Sequence, residues 1–191
     1  DRSMSTFAFT TPFGDIEIEL DVVRAPETAG YFKAFIERGG LDDGAIFRVT
    51  SETDEQASIE DQPRIRILQV GTSNGLQAPR HKIPHESTSL TGIQHRQWSI
   101  SAARFAPGEV YGSFFVCLRD EPSLDHGGSR QPDGHGYPAS AQVTRGRQSL
   151  LQAHTAARKQ DAELLSTPTA LPLVPAARPE PLDDDIANLT P

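Results

Sequence analysis

Apolar and polar residues alternate over residues 5–10 (STFAFT) and again over 15–20 (DIEIEL), with Pro-Phe-Gly between the two runs. A period of two on both sides of a turn-forming tripeptide predicts a β-hairpin, so the chain opens as antiparallel sheet. The period then lengthens. Ala29, Phe32, Phe35 and Ile36 recur at helical spacing across residues 28–38, with Pro26 suited to the first turn and Gly39 and Gly40 to the stop.

Residues 45–49 (AIFRV) and 64–70 (RIRILQV) return to strand character, and the acidic, aperiodic stretch between them reads as a surface loop. Residues 71–89 are rich in Gly, Pro, Asn, Ser and His and read as loop, after which 99–103 and 113–118 are strands. A long loop spans 126–138. A second helix is predicted over 149–165, carried by Leu150, Leu151, Ala153, Ala157 and Leu164. Residues 171–176 supply a closing strand, which Pro172 and Pro175 confine to an edge or a loose pairing. Many antiparallel strands with only two helices indicate a mainly-β closed barrel, since closure removes exposed edges.

At 191 residues the chain is long enough for one sizeable core, so the expected organisation is one domain over 5–176 and a tail over 177–191. That proline-rich acidic tail (ARPEPLDDDIANLTP) lacks the apolar residues to fold alone. Formal charge is -8, from 18 Lys and Arg against 26 Asp and Glu, which excludes nucleic acid and anionic membrane surfaces as the main partner. No apolar run reaches the roughly 20 residues of a bilayer span. The sequence opens on Asp1 rather than Met, so a processed, exported (periplasmic) form is the expectation for its compartment. The single cysteine, Cys117, sits in an apolar run and reads as a buried, inert thiol.

His81 and His85 lie four apart but in a proline-containing loop, and His126, Asp133 and His135 share a glycine-rich loop. Neither set has the spacing of a metal centre on a regular element, and no metal is expected.

The block TGIQHRQWSISAARFAPGEVYGSFFVCLRDEPSLD at 91–125 resembles the cyclophilin core motif, aligned without a gap. PFGDIEIEL with RAPETAGYF, IFRV at 46–49, ILQVG at 67–71 and the loop HGGSRQPDGHG at 126–136 are similar to bacterial cyclophilins in the same order. The resemblance implies a closed eight-stranded antiparallel barrel capped by two α-helices. It also implies peptidyl-prolyl cis-trans isomerase activity on X–Pro bonds of protein segments, with no cofactor.

The chemistry is spare, because an X–Pro bond must only lose its partial double-bond character against a barrier of about 18–20 kcal/mol. A permanently charged, planar arginine donor suits the prolyl nitrogen as it pyramidalises. The resemblance places Arg48 there and gives Gln69 the task of orienting Arg48 and the substrate backbone. It makes Phe115 the floor of the proline pocket and Leu124 and Ile67 its apolar wall. Ala103 and Arg104 stand at the backbone of the groove, Ser113 at the family's groove glutamine and Tyr137 at the pocket histidine.

Several positions depart from the family pattern. Arg66 stands for a phenylalanine, Ile67 for a methionine, Ala102 for a second methionine, Ser123 for a tryptophan, Trp98 for a glycine and Ser140–Ala141 for Phe-Gly. The missing tryptophan implies poor binding of cyclosporin, and Arg66 and Arg104 would bias the groove toward acidic segments. A second reading follows from these losses: a cyclophilin-fold accessory subunit that stabilises a larger assembly, contacted through the C-terminal tail. A pocket blocked by Trp98 or Arg66 would favour it.

Overall fold

A computed structural model of the chain describes residues 5–54, 62–72, 75, 78–160 and 170–176. In chain order the elements are β1 (Thr6–Thr11), β2 (Gly14–Leu20), α1 (Pro26–Glu37), β3 (Ala45–Val49), β4 (Ile67–Gly71), β5 (His81–Lys82) and α2 (Thr88–Thr91). There follow β6 (Ser99–Arg104), β7 (Glu109–Cys117), a 3-10 turn (Pro122–Leu124), β8 (Ala139–Arg145), α3 (Arg147–Lys159), β9 (Leu171–Pro172) and β10 (Val174–Pro175).

The strands hydrogen-bond in the order β10-β1-β2-β8-β6-β7-β4-β3-β9, all pairings antiparallel, with β5 clipped onto β7. The two ends of this path belong to one short segment. Leu171 pairs with Ile46 of β3, Val174 pairs with Thr10 of β1, and the buried Leu173 between them plugs the interior. One segment therefore occupies the eighth position of the ring and closes it. Its prolines limit each half to two residues, since Pro cannot donate to a ladder.

Alternation decides what lies inside. Phe9, Ile16, Ile18, Leu68, Val70, Phe114, Val116 and Val143 point into one core, to which α1 adds Ala29, Phe32 and Ile36 and α3 adds Leu150, Ala153 and Ala157. α1 packs against β8, and α3 against β2 and β3. The start of α1 has no side-chain cap of its own, since Ala25 stands at the N-cap. The buried Glu86 supplies one from far along the chain. Its carboxylate accepts from Thr28 N (2.7 Å), Glu27 N (3.2 Å) and Thr28 Oγ1 (2.7 Å).

The predicted hairpin, first helix and strand 45–49 are where the alternation placed them. β4 begins at Ile67 rather than residue 64, and β7 starts four residues before the predicted 113. β5 and α2 lie in the stretch read as loop. α2 is a single turn, capped by Ser87 accepting from Leu90 N and ended by Gly92 at φ 76°. The second helix is described only to Lys159, and Leu164 and the 177–191 tail with its expected partner lie outside the described residues. No helix among the described residues is long and apolar enough to cross a membrane.

Candidate functional site

The sheet formed by β3, β4, β7 and β6 carries a second hydrophobic layer on its outer face. Ile65, Ile67, Ala103, Tyr111, Phe115, Cys117 and Leu124 form it, with Phe105 and Tyr137 packed against them. Leu124 comes from the 3-10 turn; the others are odd-numbered neighbours of inward-facing residues such as Leu68, Ala102, Val110, Phe114 and Val116, so one alternation serves both the barrel core and an external site.

Two irregularities aim the side chains. Between Ile46, paired with Val70, and Arg48, paired with Gln69, β3 carries one extra residue. That bulge puts Arg48 rather than Phe47 opposite Gln69, on the outer face. On β7, residues 111–113 bulge opposite Ala103, between the pairs Ala102–Phe114 and Arg104–Val110. Gly112 makes the kink at φ 69°, where an added Cβ would lie 2.5 Å from the ring of Phe35.

The resulting cavity, ≈ 200 Å³, takes in Arg48, Ile67, Gln69, Ala103, Arg104, Phe115, Leu124 and Tyr137 of the expected set. It also takes in Ile65, Phe105, Tyr111, Arg130 and Gln131, which the sequence reading did not name. The periodicity held a signal for Tyr111, which shares a strand face with Phe115. Nothing local marked Arg130 and Gln131, which a loop carries in. Three arginines and no carboxylate line the cavity of a protein whose net charge is -8.

Ser113 is the exception among the expected residues. It is fully buried behind Gln69, its Oγ donating to Val70 O (2.7 Å) and accepting from Gln69 Nε2 (3.1 Å), and it does not line the cavity. A serine is too short to reach past Gln69 from that position. Gln69 Nε2 donates also to Tyr111 Oη (2.9 Å). Burial, opposed by the bond from Gln69 and the charge of Arg48, pushes the Tyr111 phenol above its ordinary pKa.

Phe115 forms the floor. His95 stacks on it with the rings 6.1 Å apart and 11° from parallel, and Tyr137 meets it edge-on at 5.3 Å. His95 is held at both nitrogens, Nδ1 to Asp125 Oδ1 at 2.7 Å and Nε2 to Ser101 Oγ at 2.9 Å, and its backbone N–H donates to the same carboxylate oxygen at 2.9 Å. A carboxylate only accepts, so Nδ1 carries the hydrogen. Burial would raise the pKa of Asp125, but the bonds from His95 outweigh it and hold the carboxyl below its ordinary value.

The wall is the segment 122–137. Tyr137 N donates to Leu124 O at 2.9 Å and Gly127 N to Gly134 O at 2.8 Å, and Arg130 reaches across to Pro63 O at 2.8 Å. Arg104 fastens this wall to β6. Its fully buried guanidinium donates to Gly136 O (2.8 Å), Phe105 O (3.0 Å) and both carboxylate oxygens of Asp133 (3.1 and 3.0 Å), and lies 5.0 Å from the Tyr137 ring.

The expectation that Arg66 and Arg104 offer their charges to acidic segments is therefore corrected. Arg104 is committed to Asp133, and Arg66 lies outside the cavity with Nη2 on Glu52 Oε1 at 2.8 Å. Trp98 does not enter the cavity either. It holds the left-handed φ of 74° that a glycine would adopt freely, fixed by its N–H on Cys117 O (2.7 Å) and its C=O on Val143 N (2.9 Å), while its ring packs on the barrel core.

His81 stacks on Tyr31 at 5.6 Å, and His85 Nε2 meets His135 O at 3.1 Å. Among the described residues no group of three or more His, Cys, Asp or Glu side chains is arranged to hold a metal. Cys117 is fully buried, and desolvation pushes its thiol well above the ordinary range.

Residues 6–169 match the family model described as cyclophilin type peptidyl-prolyl cis-trans isomerase/CLD. A curated relative from Streptomyces antibioticus, peptidyl-prolyl cis-trans isomerase cyp18, is 30% identical over 145 residues, covering 75% of this chain and 79% of that protein. A crystal structure of a Cryptosporidium parvum cyclophilin type peptidyl-prolyl cis-trans isomerase superposes with a TM-score of 0.67 at 14% identity, over 92% of this chain and 99% of that one. A second structure of that protein, in the presence of the dipeptide Ala-Pro, gives a TM-score of 0.66 at 15% identity, over 91% and 99%.

Proposed function

The chain belongs to the cyclophilin-type peptidyl-prolyl cis-trans isomerase family, and we propose from that membership and the cavity that it isomerises X–Pro bonds with Arg48 as the electrophilic donor. The observation that supports this most directly is the bulged β3–β4 pair. It sets Arg48 opposite Gln69 at a cavity floored by Phe115.

A prolyl ring seated on Phe115 is enclosed by Ile67, Leu124 and the edge-on ring of Tyr137. Arg48 then donates to the prolyl nitrogen as its lone pair localises and the C–N bond becomes single. A guanidinium keeps its charge throughout and spends nothing on proton transfer. Gln69 has given both amide hydrogens to Tyr111 and Ser113, so it offers its carbonyl oxygen, an acceptor for the peptide N–H or for Arg48. At ≈ 200 Å³ the cavity is smaller than the roughly 300–1,000 Å³ of sites for drug-sized ligands and suits one ring rather than an extended side chain.

The accessory-subunit reading lacks a comparable observation, since neither Trp98 nor Arg66 lines the cavity. The test is an isomer-specific proteolysis assay on a short X–Pro peptide, with wild-type protein, Arg48→Ala and Arg48→Lys. Acceleration that drops about 100-fold in Arg48→Ala and is not restored by lysine supports the assignment. No acceleration by folded wild-type protein would overturn it.

A further inference from the structure

We propose that Tyr111 is a further substrate-contacting residue, its phenolic O–H donating to a backbone carbonyl of the bound proline-containing segment. The proposal rests on the isomerase reading above and adds one residue to it.

It follows from counting hydrogens. Ser113 Oγ lies 2.7 Å from Val70 O, and a carbonyl only accepts, so the hydroxyl hydrogen of Ser113 is spent there. The Gln69 amide atom 3.1 Å from Ser113 Oγ must then be the nitrogen, which fixes the orientation of the amide. That same nitrogen lies 2.9 Å from Tyr111 Oη. An amide nitrogen never accepts, so Tyr111 receives one of its two hydrogens and Ser113 the other. The phenol hydrogen is therefore not spent on Gln69; Ser113 Oγ, which also interacts with the phenol and already accepts from Gln69, competes for it, and a carbonyl oxygen in the cavity is the stronger acceptor.

Tyr111 is 4% exposed and lines the cavity beside Arg48 and Gln69, with Phe105 packed at 4.6 Å on its ring. Its oxygen is thus a donor held in place on one side and open toward the space a peptide would fill. A peptide backbone brings carbonyl oxygens, the matching acceptors. Burial keeps the phenol protonated, so the donor is present throughout the neutral range. The position also compensates a loss. Ser113 stands where the family resemblance places a groove glutamine, and Tyr111, two residues earlier on the same strand face, puts a polar group back into the groove.

The experiment titrates a short X–Pro peptide, and versions with one backbone carbonyl at a time replaced by the weaker acceptor thiocarbonyl, into wild-type protein and Tyr111→Phe. Turnover of the parent peptide is followed in parallel. We expect thionation at one position to weaken wild-type binding about 3–10-fold. Tyr111→Phe should bind the parent more weakly by the same factor and no longer distinguish the two peptides. If no thionated position weakens wild-type binding, or if Tyr111→Phe discriminates as wild-type does while wild-type turns the peptide over, the role of Tyr111 is overturned and the isomerase reading stands. A wild-type protein that neither binds nor turns over the parent peptide overturns both.

Discussion

Arg104 and Asp133 face each other as a two-point ion pair, with Nη1 3.1 Å from Oδ2 and Nη2 3.0 Å from Oδ1, across the seam between β6 and the loop that walls the cavity. The arginine is wholly buried and the aspartate is 34% exposed. The seam is therefore fixed from inside and open to solvent on its outer edge.

Asp133→Asn should cost about 1–3 kcal/mol of folding stability, because it leaves a buried guanidinium with a weaker acceptor. The larger effect should be on substrate binding, since the loop carries Gln131 and Tyr137. Urea denaturation and steady-state kinetics would show a raised KM at nearly unchanged kcat. Arg104→Lys should behave like the asparagine variant, because an ammonium cannot reproduce the fork that spans Asp133 and Gly136.

Acid should loosen the same structures. For Asp133 and Asp125 burial acts to raise the pKa, but the bonds from Arg104 and from His95 prevail, and both carboxyls sit below their ordinary value in the folded protein. The unfolded chain therefore takes up protons first as pH falls. Their contribution is complete above the ordinary aspartate pKa of about 3.9 and disappears as pH drops through the lower folded values. Denaturation midpoints between pH 6 and 2 should fall along that limb, and less steeply in Asp133→Asn and Asp125→Asn.

His95 ties three cavity-bearing segments together: β6 through Ser101, the 3-10 turn through Asp125 and β7 through the face of Phe115. His95→Phe keeps a ring against Phe115 but strands the buried Ser101 hydroxyl and the partly buried Asp125 carboxylate. It should lower stability by about 1–3 kcal/mol in a thermal or urea melt and lower kcat/KM in the isomerase assay.

Glu86→Gln tests the remote cap of α1. Losing the charge weakens three hydrogen bonds at a buried helix start, and about 1–2 kcal/mol of stability should go with it. Glu86 is not among the residues lining the cavity, so kcat/KM per folded molecule should stay at the wild-type level.

The local pattern by itself determined a good deal. A period of two on either side of Pro-Phe-Gly sufficed for the first hairpin, and helical spacing after Pro26 for α1, because these depend on neighbours a few residues apart. The family resemblance assigned Arg48, Gln69 and Phe115 to one substrate pocket, and the structure brings them together around a single cavity. Alternation records only which way a side chain faces. It does not record the β3 bulge that trades Phe47 for Arg48 opposite Gln69, because a bulge is set by pairing with another strand.

The remaining features are long-range. Arg104 finds Asp133 29 residues on, Glu86 caps Thr28 across 58, and Arg130 reaches Pro63 across 67. Each partner is an ordinary charged or polar residue in its own neighbourhood and gains meaning only when barrel closure brings loops together. For the same reason Ser113, which sequence position puts in the groove, ends behind Gln69. Tyr111, unmarked by any motif, ends beside it with a hydrogen to give. Sequence periodicity decided which residues face outward from the barrel, and tertiary packing decided which of them reach a ligand, because reach depends on what stands in front.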